Sequence, residues 1–129
     1  MMVPYNPENL ATILVADDEE VIVDLLLNIL QRDGHQVHCA RSGRQAVEMA
    51  MKIRPDLIIM DILMPDLDGY GATELIKQNS SLRDVPVIFL TGRSAEEDGG
   101  KAFATGATTF IRKPFKHQQI KDLVNLTIM

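Results

Sequence analysis

The chain is poor in the residues that hold small secreted or metal-stapled domains together. Its 129 residues include one cysteine, Cys39, and three scattered histidines. A disulfide framework needs paired cysteines, and a zinc site needs clustered cysteine and histidine ligands. The first ten residues lack the basic and apolar regions of a signal peptide, and no apolar run approaches the roughly 18 to 20 residues that span a bilayer. These absences predict a cytoplasmic protein without disulfides, structural zinc or membrane contact.

The chain also lacks an excess of basic residues. Thirteen Lys and Arg stand against 18 Asp and Glu, which gives a net charge of −5. A nucleic-acid surface usually shows as a basic excess, so this domain is not expected to bind DNA or RNA. An apolar content of 46% and a length of 129 residues are typical of one globular domain. We predict a flexible N-terminal segment over residues 1–10 and a single domain over residues 11–129.

Five short apolar runs alternate with longer amphipathic stretches, which is the pattern of a parallel sheet with crossover helices. Three of the runs, ILVA, LIIM and VIFL, show no polar alternation and predict central strands covered on both faces, whereas HQVHCA predicts an edge strand. The predicted strands are Thr12 to Ala16, Gln36 to Ala40, Leu57 to Met60, Val87 to Leu90 and Thr109 to Ile111.

Five helices are predicted between and after these strands. The first follows Asp18 and ends before Gly34, with its core stripe at Ile22, Leu25, Leu26, Ile29 and Leu30 and with Val21, Val23 and Leu27 off that stripe. The second helix begins at Ser42, which forms a capping box with Gln45, and the third begins at about Tyr70. The fourth begins at Ser94, and Gly99 and Gly100 lower its helix propensity. The fifth follows Pro114.

Polar residues follow four of the predicted strands. Asp17 and Asp18 come after the first, Asp61 after the third, Thr91 after the fourth and Lys113 after the fifth. Each could singly be a helix cap, a turn residue or a solvated lysine. Ligands of open parallel sheets bind beyond the carboxyl ends of the strands, so we expect these side chains to converge on one pocket.

The three aspartates of this pocket predict a cation site. Carboxylates held a few ångströms apart repel strongly at an effective dielectric constant of about 20, and a bound cation offsets that repulsion. All-oxygen ligands favour Mg²⁺, with Mn²⁺ as the other candidate. His35 and His38 flank the second strand and are interpreted as solvated surface residues, not ligands.

Four segments carry a family resemblance: VADDEE, DLIIMDILMPDLDG, FLTG and GATTFIRKPF. In this order and spacing the chain closely resembles the receiver domain of two-component response regulators, chemotaxis regulators among them, from about Thr12 to Leu126. The resemblance implies a flavodoxin-like, doubly wound α/β fold with strand order 2-1-3-4-5 and helices on both faces.

The resemblance also implies a role for each pocket residue. Asp61 looks like the phosphoacceptor for a sensor histidine kinase or a phosphotransfer protein. Asp18, Asp61 and the backbone carbonyl of Leu63 resemble the Mg²⁺ ligands, with Asp17 holding the ion's waters. Lys113 and Thr91 would contact the phosphoryl oxygens. Such a domain signals and is not an enzyme, although it assists its own phosphorylation and dephosphorylation.

The same resemblance implies a switch and a partner surface. Thr91 would move toward the phosphoryl group and vacate space for Phe110, changing the face formed by the fourth helix, fifth strand and fifth helix toward a downstream effector or output domain. Pro114 resembles the family's cis-proline. Val21 and Phe115 are candidates for kinase docking, with packing between the first and fifth helices as the alternative for Val21.

Leu63 and Arg93 stand two positions beyond Asp61 and Thr91, where family side chains overhang the acyl phosphate. Neither can orient a hydrolytic water by accepting its proton, which predicts a long-lived phosphorylated state. The alternative is that both point to solvent.

Three other functions have counterparts in parts of this pattern. A pseudo-receiver that only binds partners would lack some of the pocket residues. This chain has the complete set of Asp17, Asp18, Asp61, Thr91 and Lys113. A haloacid-dehalogenase-type phosphatase needs a second Asp two residues after its nucleophile, where this chain has Leu63. A flavodoxin-like flavin carrier needs a phosphate loop after the first strand, where the acidic ADDEE would repel a phosphate.

Overall fold

A computed structural model describes residues 10–92 and 109–128. Arg93, the predicted fourth helix with Gly99 and Gly100, and residues 1–9 of the predicted N-terminal segment lie outside the described residues. The strands are β1 (Thr12–Ala16), β2 (Gln36–Ala40), β3 (Leu57–Asp61), β4 (Val87–Thr91) and β5 (Thr109–Arg112). The helices are α1 (Glu20–Arg32), α2 (Gly43–Ile53), α3 (Gly69–Gln78), a short 3₁₀ turn (Ser80–Leu82) and α4 (His117–Ile128), which is the predicted fifth helix.

The five strands form one parallel sheet in the order β2-β1-β3-β4-β5, which confirms the predicted topology. Each predicted strand is present, and the last three extend one residue further, to Asp61, Thr91 and Arg112. The register pairs Ala16 with Met60 and Asp61 with Leu90. The carboxyl ends of β1, β3 and β4 therefore lie side by side at one edge of the sheet.

The sheet is covered on both faces by apolar helix residues. On one face α2 and α3 pack against the strands through residues such as Ala46, Ala50 and Ile76. On the other face α1 and α4 do so through residues such as Leu26 and Val124. Every residue of β3 and β4 is buried, as their unbroken apolar runs predict. Within residues 10–92 and 109–128, no helix is long and apolar enough to cross a membrane.

The predicted core stripe of α1 is partly wrong. Val23 is fully buried together with Leu26 and Leu30, whereas Ile22 and Leu25 are only half-buried. The helix carries apolar residues at nearly every position from 21 to 30, so spacing alone allows more than one buried face. The way α1 rests on β1 and β2 selects the face that contains Val23.

The prediction that His35 is a solvated surface residue is also wrong. The side chain is buried at the start of β2, and its Nδ1 atom accepts a hydrogen bond from the backbone N–H of Ala11 at 3.1 Å. Gly34, with φ of 91°, makes the turn that carries the chain from α1 back over β1. Burial lowers the pKa of His35, so the imidazole is neutral and can accept this bond.

The start of α2 lies against the loop that follows β3. Ser42 caps the helix as predicted, since its Oγ atom accepts from the N–H of Gln45 at 3.1 Å, while the Gln45 side chain accepts from the N–H of Arg41. A Cβ atom placed on Gly43 would lie 1.9 Å from the carbonyl oxygen of Leu67. Glycine at position 43 is therefore required by a close backbone contact between α2 and this loop.

We expect Gly43→Ala to lower the free energy of unfolding by about 2 kcal/mol or more, since overpacking against fixed backbone outweighs the gain of up to about 1 kcal/mol that Ala brings to a helix. Urea denaturation followed by circular dichroism measures the change. Gly92→Ala is the control because no atom of residues 10–92 or 109–128 lies within 4 Å of its added Cβ. A Gly43→Ala protein as stable as the parent would show that the loop yields easily.

Candidate functional site

Three strand ends meet at the ammonium group of Lys113. Its Nζ atom lies 2.9 Å from Oδ2 of Asp17, 3.3 Å from Oδ1 of Asp61 and 3.2 Å from Oε1 of Glu19. Asp17 follows β1, Asp61 ends β3 and Lys113 follows β5. The structure thus brings together residues that lie up to 96 positions apart in the chain, as the strand-end argument predicts.

Asp17 is the most firmly held member of this cluster. Its side chain is completely buried, and Oδ1 accepts from the backbone N–H of Glu19 at 2.9 Å while Oδ2 accepts from Lys113. Its own N–H donates to the carbonyl of Ala40 at 3.1 Å. Both oxygens of Asp17 therefore have partners, which sets the direction of the carboxylate in the pocket.

Asp17, Glu19 and Asp61 each offer a carboxylate oxygen within 4.8 Å of the other two. A set of three hard oxygen ligands at this spacing suits a cation such as Mg²⁺. Sequence reasoning named Asp18 as the third carboxylate and missed Glu19, although the run Asp-Asp-Glu-Glu was visible. Asp18 is exposed, and its negative charge reaches Asp61, so its ligand role stays a prediction.

The pocket raises the pKa of both Asp61 and Lys113. Burial, with the charges of Asp17 and Asp18, raises the pKa of Asp61 to about 6 although Lys113 lowers it. Burial alone would lower the pKa of Lys113, but its hydrogen bond to Asp17 and the nearby carboxylates raise it. Asp61 is therefore mostly ionised at pH 7 and opposite a permanent positive charge.

The loop between β3 and α3 is built to hold Asp61 and Leu63 in place. Gly69 donates its N–H to the carbonyl of Ile62 at 2.8 Å, and Asp68 caps α3 by accepting from the N–H of Gly71 at 2.8 Å. A Cβ atom on Gly69 would lie 2.3 Å from the carbonyl oxygen of Asp61. Leu63, two residues beyond Asp61, is 65% exposed.

The remaining predicted pocket and switch residues lie on β4 and β5. Thr91 ends β4, is buried, and accepts the N–H of Lys113 through its carbonyl at 2.7 Å. The Lys113–Pro114 peptide bond is cis, as the resemblance implies. Phe110 pairs with Phe89 in the sheet register and is half-buried against the α2–α3 face. Arg93 lies outside the described residues.

The two predicted docking residues differ in their surroundings. Val21 is 77% exposed on the first turn of α1, so it does not pack against α4. Phe115 is half-buried against the core cluster formed by α1, α4 and the sheet. Of these two residues, Val21 is the one with a largely exposed apolar side chain.

A flavodoxin-like sheet with buried aspartates and a lysine at the carboxyl ends of its strands defines a signal-receiver type of α/β domain. The family model for the response regulator receiver domain matches residues 13–125, and the chain belongs to this family. It is thus a signalling domain of two-component systems. The flavin-carrier and phosphatase alternatives are replaced by this assignment.

Relatives of two different lengths match the chain. It is 38% identical to the transcriptional regulatory protein YvrH of Bacillus subtilis over 106 residues. This match covers 81% of this chain and 44% of YvrH. It is 31% identical to protein PilH of Pseudomonas aeruginosa, with 92% of this chain and 98% of PilH covered. The chain spans about half the length of YvrH and two further Bacillus regulators.

Among solved structures, the receiver domain of a sensor histidine kinase from Pseudomonas aeruginosa PAO1 matches with a TM-score of 0.85 and 32% identity. The match covers 92% of this chain and 98% of the kinase receiver. That crystal structure has a magnesium ion coordinated in its active site cleft.

Without divalent cations, Asp61→Asn is expected to stabilise the protein at pH 7. It removes a buried negative charge whose pKa is raised to about 6 from 3.8, and a shift of this size supports a gain of about 1 to 2 kcal/mol. The gain should shrink as the pH falls below 6, because protonation of Asp61 then removes the same charge from the parent protein.

Urea denaturation in EDTA at pH 7 and pH 5 measures this difference. Asp24→Asn, which changes an exposed aspartate of α1, is the control. A loss of stability in Asp61→Asn at pH 7 would show that the Lys113 ion pair outweighs burial and carboxylate repulsion.

Proposed function

We propose that this receiver accepts a phosphoryl group on Asp61, with Mg²⁺, from the phosphohistidine of a sensor kinase or a phosphotransfer protein. The observation that carries the proposal is that the Asp61 carboxylate lies 3.3 Å from the Lys113 ammonium and shares a cluster with two further carboxylates that suits a divalent cation. A phosphoryl group on Asp61 would thus have the lysine near it and, when bound, the cation as a second positive charge.

The chemistry asks little of the protein beyond positioning and charge. An ionised Asp61 oxygen forms the new bond to phosphorus, and the imidazole nitrogen of the donor leaves with the electron pair of the broken P–N bond. Lys113 then donates to a phosphoryl oxygen, and the Thr91 hydroxyl is proposed to donate to another. Mg²⁺, when bound, neutralises charge on the phosphoryl oxygens.

The donor set fits this ion. Asp17, Asp18, Asp61 and the backbone carbonyl of Leu63 are the proposed ligands or water-holding groups, and carboxylate and carbonyl oxygens are what Mg²⁺ prefers. Mn²⁺ suits the same oxygens and is proposed as a substitute.

Receivers of this family interact with histidine kinases and output domains. For this chain we propose Val21 as a kinase-docking residue, because its exposed side chain stands on the first turn of α1, the helix that follows Asp17 in the chain. Phe115 is proposed only as a residue that supports the docking surface from below, since its side chain packs against the core. The switch through Thr91 and Phe110, the downstream effector, self-catalysed dephosphorylation and a cytoplasmic location stay predictions.

Incubation with acetyl phosphate and Mg²⁺ is expected to add one phosphoryl group, seen by intact mass spectrometry. Asp61→Asn should add none, and excess EDTA should prevent labelling of the parent, because nucleophile and cation are both required. Asp66→Asn, which changes an exposed aspartate in the same loop, is the matched control and should label normally. Full labelling of Asp61→Asn would place the phosphoacceptor elsewhere.

Leu63 is proposed to lengthen the life of the phosphorylated state, because its apolar side chain beside Asp61 cannot orient a water. Leu63→Asn should shorten the half-life by about fivefold, the effect of one new hydrogen bond of ~1 kcal/mol in the hydrolytic transition state. Decay of radiolabelled protein measures it, and Leu75→Asn on the exposed face of α3 is the control. Equal half-lives for the Leu63 variant and the parent would mean that the shared pocket sets the lifetime.

A further inference from the structure

Glu19 stands at a helix start but does not act as a helix cap. It is the N-cap residue of α1, a position that favours Ser, Thr, Asp and Asn, and its side chain makes no capping hydrogen bond. The carboxylate instead reaches across the pocket and accepts from Nζ of Lys113 at 3.2 Å. The Asp17 side chain, which accepts the backbone N–H of Glu19, holds the residue at this place.

The contact with Glu19 completes the hydrogen-bonding capacity of Lys113. A lysine ammonium has three N–H donors, and three carboxylates lie within 3.3 Å of Nζ. A phosphoryl oxygen can therefore bind Lys113 only if one carboxylate gives up its place.

The three carboxylates differ in how readily they can leave. Asp17 is fully buried with both oxygens bonded, and Asp61 is the proposed acceptor itself. The Glu19 side chain is 62% exposed, so water can take over its hydrogen bonds at little cost. Glu19 is the partner that can be displaced.

We propose that Glu19 is a positioning residue that occupies Lys113 in the unphosphorylated protein and competes with the incoming phosphoryl group. The inference rests on the proposed function, because it assigns Lys113 to the phosphoryl oxygens. Glu19 thereby raises the concentration of phosphodonor or phosphoryl analogue that the pocket requires, and it leaves the chemical step to Asp61.

The test compares Glu19→Gln with Glu20→Gln. Glutamine keeps the size of the side chain but is a weaker partner for an ammonium group. Glu20 is the matched control, since it is the next acidic residue and lies 3.7 Å from Arg41, not beside Lys113. Beryllofluoride, a non-covalent phosphoryl analogue, is titrated into each protein at saturating Mg²⁺ by calorimetry.

We expect Glu19→Gln to bind beryllofluoride about two- to fivefold more tightly than the parent, the range that a partly exposed ion pair supports, with Glu20→Gln unchanged. In metal-free protein, the Lys113 side-chain NMR signal should shift in Glu19→Gln only. Affinity equal to or weaker than that of the parent would overturn the proposal.

A Mg²⁺ titration distinguishes the proposed role of Glu19 from the alternative that Glu19 is a metal ligand. If Mg²⁺ affinity falls as far in Glu19→Gln as in Asp17→Asn, Glu19 is a metal ligand and the proposal is overturned. If the parent binds no beryllofluoride, the proposed function fails instead, and the Lys113 signal of the metal-free protein still tests the Glu19 contact.

Discussion

The arrangement of the pocket depends on one ammonium group, that of Lys113, which contacts three carboxylates. It joins the loops after β1 and β5 to the end of β3, and it is the permanent positive charge among carboxylates that would otherwise repel one another. Two like charges about 4 Å apart repel by about 4 kcal/mol at an effective dielectric constant near 20. One lysine cannot offset all of this repulsion, so the pocket keeps an excess of negative charge, which suits a further cation.

The rest of the fold supplies the rigidity that this arrangement needs. Asp17 and Asp61 lie at the ends of strands whose residues are almost entirely buried, so their backbone positions are set by the sheet. Gly43 and Gly69 allow α2, the β3–α3 loop and the end of β3 to approach within backbone contact. The site is therefore coupled to core packing, and substitutions far from Lys113 can disturb it through this loop.

The raised pKa of Asp61 illustrates the conflict between stability and function in the pocket. Burial and neighbouring carboxylates disfavour the charged form, yet a carboxylate must be ionised to attack phosphorus. Lys113 lowers the pKa of Asp61, and a bound cation would lower it further. The groups that make the metal-free pocket unfavourable are thus the same ones that the proposed cation and phosphoryl group would contact.

The amino-acid sequence by itself determined the five parallel strands and most of the pocket, and the resemblance to the receiver family supplied the strand order. Unbroken apolar runs specify buried parallel strands, and such strands bring Asp17, Asp61, Thr91 and Lys113 to one edge whatever the details of packing. Tertiary structure alone decided that Val23 faces the core, that His35 is buried over Ala11 and that Glu19 contacts Lys113. The rotation of an apolar helix and the direction of a long side chain at a helix start depend on neighbours distant in sequence, and local periodicity carries no information about those neighbours.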